Sequence, residues 1–174
     1  MLRPADDSLI RELAEGREEA FVALYDRFAS SLLRVAVRLL GSQQDAEDAV
    51  QEVFVGVVRV RARLPKVENL RAYLFATLRR AAARLVAARR ERVLSPEQEQ
   101  ALAAPEAKGV DSEQAVRLER ALRMLPSEQR EIVALKIEGA LTFAEIAGVL
   151  AISPNTAASR YRYALEKLRA ALEA

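Results

Sequence analysis

Apolar residues recur at intervals of three and four positions through most of the chain, the spacing that places them on one face of an α-helix. The longest run predicts a helix over residues 17–40. Its apolar positions are Phe21, Leu24, Tyr25, Phe28, Leu32, Val35, Ala36 and Leu39. Shorter runs predict helices over residues 6–15, 43–62 and 70–90. Because no stretch alternates apolar and polar residues, no β-strand is predicted.

Capping residues mark the ends of these helices. Gly41 ends the long helix, and Ser42 begins the next with Asp45 three residues later, a carboxylate variant of the capping box. Pro65 then breaks the helical pattern, and Asn69 is placed to cap the third helix. The first part of the chain is therefore predicted to fold as a small helical bundle.

The helical pattern fails after Val93 and resumes near residue 113. The intervening sequence includes SPEQEQALAAPEAKG, which has two prolines, one glycine and no aromatic residue, and which predicts a linker over residues 94–112. The next helix spaces its apolar residues helically at Val116, Leu118, Leu122 and Leu125. A further helix is expected to stop at Gly139. The predicted fold class is all-α, with two small helical domains joined by a flexible linker.

The end of the chain has the pattern of a helix-turn-helix. The sequence TFAE forms a capping box that opens a short helix, and Ser153 with Pro154 opens a longer one after a tight turn. The residues expected to face the core are Ala157, Tyr161, Ala164, Leu165 and Leu168. The candidates for DNA contact are Asn155, Thr156, Ser159, Arg160, Arg162, Tyr163 and Lys167. Amides, hydroxyls and arginines bond base edges and phosphates, although similar helix pairs also occur in bundles that never touch DNA.

The chain of 174 residues contains no cysteine and no histidine. Disulfides, zinc sites of the cysteine and histidine type, and cysteine or histidine catalysis are therefore excluded. We expect a protein that is not an enzyme and that needs no metal and no cofactor. The sequence has no apolar run of 18 residues and no apolar signal region, so a cytoplasmic protein without membrane insertion is expected.

Charge is distributed in blocks, although the net charge is only +2. Residues 1–55 hold six basic and eleven acidic residues, whereas residues 56–95 hold eleven basic and two acidic ones. Residues 96–152 are acidic again, and the last helix is basic. Basic blocks suggest binding to a polyanion such as DNA, and acidic blocks suggest a protein partner, with solvated helix faces as the alternative.

The motif DAEDAVQEVF lies in the first unit, and QRE, EIA and SPNTAASR follow one another in the second. These motifs resemble the bacterial extracytoplasmic-function (ECF) RNA polymerase sigma factors of the sigma-70 family. Residues 21–59 and 68–90 resemble the N-terminal domain of that family, and residues 121–172 resemble its C-terminal domain. The resemblance implies a sigma region 2-like domain over residues 1–93 and a region 4-like helix-turn-helix domain over residues 113–174.

The resemblance also implies a function, that of a promoter-specificity subunit that binds core RNA polymerase and directs transcription initiation. The first domain would bind the clamp coiled coil of the polymerase through Asp45, Glu47, Asp48, Gln51 and Glu52. It would recognise the −10 promoter element through Arg61, Arg63, Lys66, Asn69, Arg71, Tyr73, Arg79, Arg80 and Arg84. The second domain would bind the flap tip and recognise the −35 element through the DNA-contact candidates on the last helix. An anti-sigma factor is a further implied partner.

Four residues depart from the family pattern. Tyr73 stands where the family usually has Trp, Arg80 and Arg84 stand where it usually has Asn and Asp, and Ala151 replaces the usual Gly of the turn. The two arginines, one turn apart, either form ion pairs with carboxylates of the preceding helix or add contacts to the opened DNA strand. Because position 151 is not glycine, the sequence does not determine the geometry of this turn.

Two other functions fit part of the sequence. A stand-alone DNA-binding regulator would use the helix-turn-helix alone, which leaves the acidic helix face without a role. A sigma-like decoy would sequester a regulator without binding a promoter. The linker is long enough for a promoter subunit, because residues 94–112 span about 65 Å when fully extended. Promoter elements about 17 base pairs apart are separated by about 58 Å.

Overall fold

The computed structural model describes residues 4–93 and 113–173. The first unit comprises α1 (Pro4–Glu15), α2 (Glu18–Leu40), α3 (Gln43–Val60) and α4 (Leu70–Val93), with a 3-10 helix (Arg61–Lys66) between α3 and α4. The second unit comprises α5 (Glu113–Met124), α6 (Ser127–Ile137), α7 (Phe143–Leu150) and α8 (Pro154–Glu173). No strand occurs in the described residues, and the all-α prediction is confirmed. The predicted linker over residues 94–112 lies outside them.

The predicted capping residues sit at the N-termini of four helices. Ser42 caps α3, Asn69 caps α4, Thr142 caps α7 and Ser153 caps α8. At α7 the bonds are reciprocal: the Thr142 hydroxyl accepts from the Glu145 amide at 3.2 Å, and the Glu145 carboxylate accepts from the Thr142 amide at 2.6 Å. Each bond satisfies an amide that the first turn of a helix leaves unpaired, so these side chains set where the helices begin.

Gly139, which follows α6, lies where no side chain would fit. A Cβ atom at this position would lie 2.7 Å from the carbonyl oxygen of Leu135 and 2.8 Å from Cδ1 of Leu141, closer than real Cβ contacts. The left-handed backbone conformation belongs instead to the next residue, Ala140, with φ 51°. The chain therefore leaves α6 through a close approach that a side chain at position 139 would prevent.

The core of the first unit lies between α2, α3 and α4. Phe28 of α2 and Phe75 of α4 are fully buried, and Leu64 anchors the 3-10 helix in the same core. Tyr25 is 56% exposed and stacks at an angle against Phe54, with ring centroids 5.0 Å apart. Tyr25 belongs to the predicted apolar stripe of this helix but sits at its edge, where α3 covers it only in part.

The second unit has a smaller core of its own between α5, α6 and α8. Its buried side chains are Ala121, Leu122, Leu125, Val133, Ala164 and Leu168. Tyr161 is partly buried against this core, and its ring lies edge-on to Phe143 with centroids 5.6 Å apart. Leu165, predicted to lie in the core, is exposed, as are Val116 and Leu118. The prediction for Leu165 was wrong because this residue lies at the edge of the apolar stripe of α8. Val116 and Leu118 are exposed because only the C-terminal half of α5 reaches the core.

The two units pack directly against each other, with α2 against α6 and α4 against α7. Ile132 and Leu135 of α6, with Ile146 and Val149 of α7, are buried in a cluster that is continuous with the core of the first unit. Ion pairs beside this contact join Arg34 to Glu138 (2.7 Å), Arg38 to Glu119, and Arg79 to Glu131 (2.8 Å). We call this direct packing of the two units the closed arrangement.

Candidate partner and nucleic-acid interfaces

One side of α3 carries the predicted acidic face. Its residues are Asp45, Glu47, Asp48, Gln51 and Glu52. The other side of the helix is buried in the core through Ala46, Ala49, Val50, Val53 and Val57. Apolar packing therefore fixes the direction in which the acidic side chains point. Asp45 is half-buried and the other four are exposed, so the structure brings all five predicted residues onto the outer side of one helix.

Two ion pairs join this acidic face to α4. Arg84 pairs with Glu52, and Arg89 Nη2 lies 2.6 Å from Asp45 Oδ2. Of the two possibilities for Arg84, pairing with the preceding helix is the one observed. Arg89 was not among the predicted site residues. Its signal in the sequence is weak, because the opposite charges of α3 and α4 become neighbours only when the helices pack antiparallel.

Arg80 differs from Arg84 although the two lie one turn apart. Its Nη2 donates to the hydroxyl of Thr77 at 3.0 Å, and that hydroxyl donates to the carbonyl of Tyr73 at 2.9 Å. Arg80 is exposed and forms no ion pair with any residue in the described parts of the chain. The stripe of Tyr73, Thr77 and Arg80 is thus held together by hydrogen bonds along one helix, and the guanidinium at its end faces solvent.

The 3-10 helix presents three exposed basic side chains in front of α4. Arg61, Arg63 and Lys66 all point to solvent, whereas Leu64 between them is fully buried. One buried residue in the middle of a short helix directs its neighbours outward. The predicted basic residues of this segment therefore extend the positive surface of α4, and no carboxylate of the described residues forms an ion pair with them.

Three of the predicted −10 residues contact the second unit. Asn69 Nδ2 donates to Glu145 Oε1 at 2.6 Å, Arg71 Nη1 donates to the carbonyl of Gly139 at 2.8 Å, and Arg79 Nε donates to Glu131 Oε1 at 2.8 Å. Each of these donors belongs to α4 or its cap, and each acceptor to α6, α7 or the turn between them. In the closed arrangement these three side chains are engaged with protein.

Glu145 and Glu119 are the carboxylates most affected by the closed arrangement. Burial acts to raise the pKa of Glu145, but hydrogen bonds from Thr142 and Asn69 and the charge of Arg71 outweigh it, so the pKa lies below its ordinary value. Burial likewise acts to raise the pKa of Glu119, but the hydrogen bonds and charges of Arg38 and Arg123 outweigh it, so that pKa is also lowered. Both carboxylates are therefore held in the ionised form by contacts that include the other unit.

The predicted −35 residues on α8 fall into two groups. Asn155, Arg162, Tyr163 and Lys167 are exposed. The remaining three hold the helix in place through their side chains: Thr156 takes part in the Ser153 cap, Ser159 donates to the carbonyl of Thr156 at 3.0 Å, and Arg160 Nη2 lies 3.1 Å from Glu128 Oε2. The exposed polar surface at the start of α8 is therefore centred on Asn155 and Arg162.

The turn between α7 and α8 keeps a left-handed residue without a glycine. Ala151 has φ 54° and ψ 46°, and the Ile152 amide bonds the Ala147 carbonyl at 3.1 Å. An alanine in this conformation is less favourable than a glycine, since its Cβ approaches the following carbonyl oxygen. The helix-turn-helix geometry is thus formed, at some cost in backbone strain at position 151.

Comparison with known proteins identifies the family. A model of sigma-70 region 2 matches residues 24–92, and a model of sigma-70 region 4 matches residues 115–168. The RNA polymerase sigma factor CarQ of Myxococcus xanthus is 30% identical over 158 residues, which cover 89% of this chain and 90% of CarQ. The chain belongs to the sigma-70 family of RNA polymerase sigma factors.

Other relatives of this sigma factor are ECF members, as the motifs had predicted. The ECF sigma factor SigK of Mycobacterium ulcerans is 27% identical over 175 residues, covering 97% of this chain and 94% of SigK. The fold matches CnrH, solved with the cytosolic domain of CnrY, with TM-score 0.72, 26% identity and 97% of both chains covered. It also matches RpoE of Bartonella quintana, solved with the anti-sigma factor NepR, with TM-score 0.67, 23% identity and coverage of 87% and 97%.

Each described helix of this sigma factor contains at least one charged residue. Over residues 4–93 and 113–173, none combines the length and the continuous apolar character that crossing a bilayer requires.

Proposed function

We propose that this sigma factor is a non-enzymatic promoter-specificity subunit that binds core RNA polymerase, recognises −10 and −35 elements and directs transcription initiation. The observation that carries the proposal is the presence of both sigma regions, in order, on one chain. A stand-alone DNA-binding protein has no need of the first region. A subunit that places two DNA-binding surfaces on a polymerase needs both.

The acidic face of α3 is the proposed polymerase contact. Three of its four carboxylates are exposed, and all four lie on the side of the helix away from the core, which suits a cationic helical surface such as the clamp coiled coil. Four of the five predicted residues carry a negative charge, and they follow one another along the outer side of the helix. Exposed charges of this kind speed association and select partners more than they add affinity.

The proposed −10 surface combines the 3-10 helix with α4. Holding an unstacked base costs a few kcal/mol, so a protein that opens a promoter must supply stacking and phosphate contacts in return. Arg61, Arg63, Lys66 and Arg80 are exposed cations on this surface. The proposed −35 surface is the start of α8, where Asn155 and Arg162 can bond base edges in the major groove while Lys167 contacts phosphates.

Binding to both promoter elements requires the closed arrangement to open. A compact chain of this length has a radius of gyration of about 16 Å, whereas elements about 17 base pairs apart are separated by about 58 Å. Asn69, Arg71 and Arg79 are also occupied by the second unit. The closed arrangement is therefore proposed as the state of the free subunit, and separation of the units as part of polymerase binding.

A protein regulator of the closed arrangement is also proposed. CnrH, which matches this chain over nearly its whole length, was solved in complex with the cytosolic domain of CnrY. A regulator that binds both units of the present sigma factor would stabilise the closed arrangement by binding one state and not the other.

Run-off transcription with bacterial core RNA polymerase tests the proposed function. The purified chain and core enzyme are incubated with a genomic DNA library, and the bound fragments are sequenced and used as transcription templates. We expect a two-part consensus and specific transcripts from it. Binding of the core enzyme without any promoter selection would indicate a decoy. Tight duplex binding in the absence of polymerase would indicate a stand-alone regulator.

A further inference from the structure

Two carboxylate–arginine pairs, Asp45 with Arg89 and Glu52 with Arg84, connect the acidic face of α3 to α4. We call them the arginine ladder. The four side chains lie on neighbouring antiparallel helices, and the pairs follow one another along the groove between them. The first pair is an ion pair without a hydrogen bond, because Asp45 Oδ2 is buried and has no hydrogen-bond partner in the described residues.

The ladder joins two surfaces with different proposed partners. Glu52 and Asp45 belong to the face proposed to bind a cationic surface of the polymerase. Arg84 belongs to the helix proposed to bind the opened promoter strand, and Arg89 continues that helix in the direction of its C-terminus. In the free chain each surface therefore neutralises part of the other, and neither set of charges is fully available to its own partner.

Exchange of partners at the Glu52–Arg84 pair of the ladder is energetically accessible. The side chains of Arg84 and Glu52 are 60% and 49% exposed, whereas in the other pair Arg89 is 44% exposed and Asp45 only 21%. Ion pairs between exposed side chains change an equilibrium constant by at most about fivefold. A second cation brought close to Glu52 can displace Arg84 at that small cost, and Arg84 remains hydrated when displaced.

Arg80 lies one turn from Arg84 on the same helix but has no carboxylate partner among the described residues. One turn beyond Glu52, at the position where a carboxylate would extend the ladder, α3 has Gly56, which has no side chain with which to pair. A Cβ atom at Gly56 would meet no atom within 4 Å, so this part of the groove is open. Arg80 is consequently exposed and bonded only within its own helix. Arg80 and Arg84 are one turn apart and differ chiefly in having a carboxylate partner.

We propose that the arginine ladder couples polymerase binding to promoter-strand binding by exchange of ion-pair partners. A cationic surface of core polymerase takes over Glu52, and the displaced Arg84 becomes available to the phosphates of the opened strand, while the more buried Asp45 keeps Arg89. This inference rests on the proposed function of the two surfaces. Under this proposal, Arg84 competes with the polymerase for Glu52 in the free chain and contacts DNA in the holoenzyme.

The test compares Arg84→Ala with Arg80→Ala in the full-length chain. Affinity for core RNA polymerase is measured first without DNA. We expect Arg84→Ala to bind core up to about fivefold more tightly than wild type, because Glu52 no longer has an internal partner. Arg80→Ala removes the same charge from the same helix without freeing a carboxylate, so its core affinity should equal that of wild type.

Binding of each holoenzyme to single-stranded promoter DNA is then measured over a range of salt concentrations. Both variants should bind more weakly than wild type. For each, the slope of log K against log salt should fall by about 0.7, the value for loss of one phosphate contact on a single strand. The proposed exchange therefore predicts that Arg84→Ala strengthens core binding and weakens DNA binding. Arg80→Ala should weaken DNA binding only.

Unchanged or weaker core binding by Arg84→Ala would overturn the proposed exchange and leave Arg84–Glu52 as a structural pair. An equal increase in core affinity in both variants would also overturn the exchange, because the increase would then come from the lost positive charge alone. Arg84→Gln, which keeps the aliphatic stem but not the charge, gives the same comparison if Arg84→Ala fails to fold. If wild type itself does not bind core polymerase, the proposed function fails, and that result is distinguishable from failure of the exchange.

Discussion

At the scale of single residues, the positions that sequence reasoning located best are those whose role is local. Ser42, Asn69, Thr142 and Ser153 cap helices because their oxygens reach the amide three residues ahead in the same segment. The role of Ala151 is also local, because its left-handed conformation closes the turn between α7 and α8. Such features depend on few neighbours and are visible in a short stretch of sequence.

Substitution of Ala151 by glycine is expected to stabilise the protein. Glycine adopts φ near 54° without the steric cost that alanine bears. The gain should be up to about 1 kcal/mol in the free energy of unfolding, or about 2–4 °C in Tm for a chain of this size. Thermal unfolding followed by circular dichroism measures it.

The control is Ala144→Gly, the same chemical change at an exposed helical position of α7. It should destabilise by about 1 kcal/mol because glycine is the poorer residue in a helix. If both variants shift Tm in the same direction, the backbone conformation at position 151 does not account for the effect.

At the scale of elements, periodicity predicted which helices form but not what covers each face. Leu165 and Tyr25 have the spacing of core residues, yet both are exposed because each lies at the edge of its stripe. Spacing fixes the angle of a side chain around its own axis. Whether a neighbouring helix covers that angle depends on packing partners distant in the sequence, and these are not encoded in any one segment.

The exposed start of α8 leads to a prediction about base readout. Arg162→Ala should relax sequence preference at a single −35 position, with about 1–3 kcal/mol of discrimination lost. Lys167→Ala should instead weaken binding to all −35 sequences alike and reduce the salt slope by about 0.9. Holoenzyme binding to a library of −35 variants at several salt concentrations separates the two effects.

Arg169→Ala serves as the control, because Arg169 pairs with Glu173 and lies about 200° around the helix from Lys167, on the opposite side of α8. This variant should change neither sequence preference nor salt slope. A loss of single-position preference in Lys167→Ala rather than Arg162→Ala would reverse the proposed assignment of base and phosphate contacts.

At the scale of the whole molecule, the closed arrangement is the feature that the sequence did not reveal. Arg38 and Glu119 lie far apart in the chain, and no periodicity relates them. The proposed DNA surface of α4 was located from its charge, but its contacts with Glu131 and Glu145 depend on how the units meet. The sequence therefore predicted the surfaces of each unit, and the structure supplied the relation between them.

The lowered pKa values of Glu119 and Glu145 predict that acid weakens the closed arrangement. A carboxyl whose pKa is depressed in one state stabilises that state above its ordinary pKa, here 4.5, and the stabilisation is lost as pH falls through the depressed value. The separation of the units, measured by energy transfer between dyes on α2 and α8, should therefore increase as pH falls below about 4.5.

Glu119→Gln mimics the protonated state at neutral pH and separates opening from acid unfolding. It keeps the size of the side chain while removing the charge that pairs with Arg38. The fraction of separated units at neutral pH should rise with the helix content unchanged, because Glu119 lies on α5 and Arg38 on α2. Glu173→Gln is the matched control, since Glu173 pairs only within α8. If Glu119→Gln and Glu173→Gln leave the dye separation equally unchanged, the Arg38–Glu119 pair does not hold the units together, and apolar contact between α2 and α6 must do so.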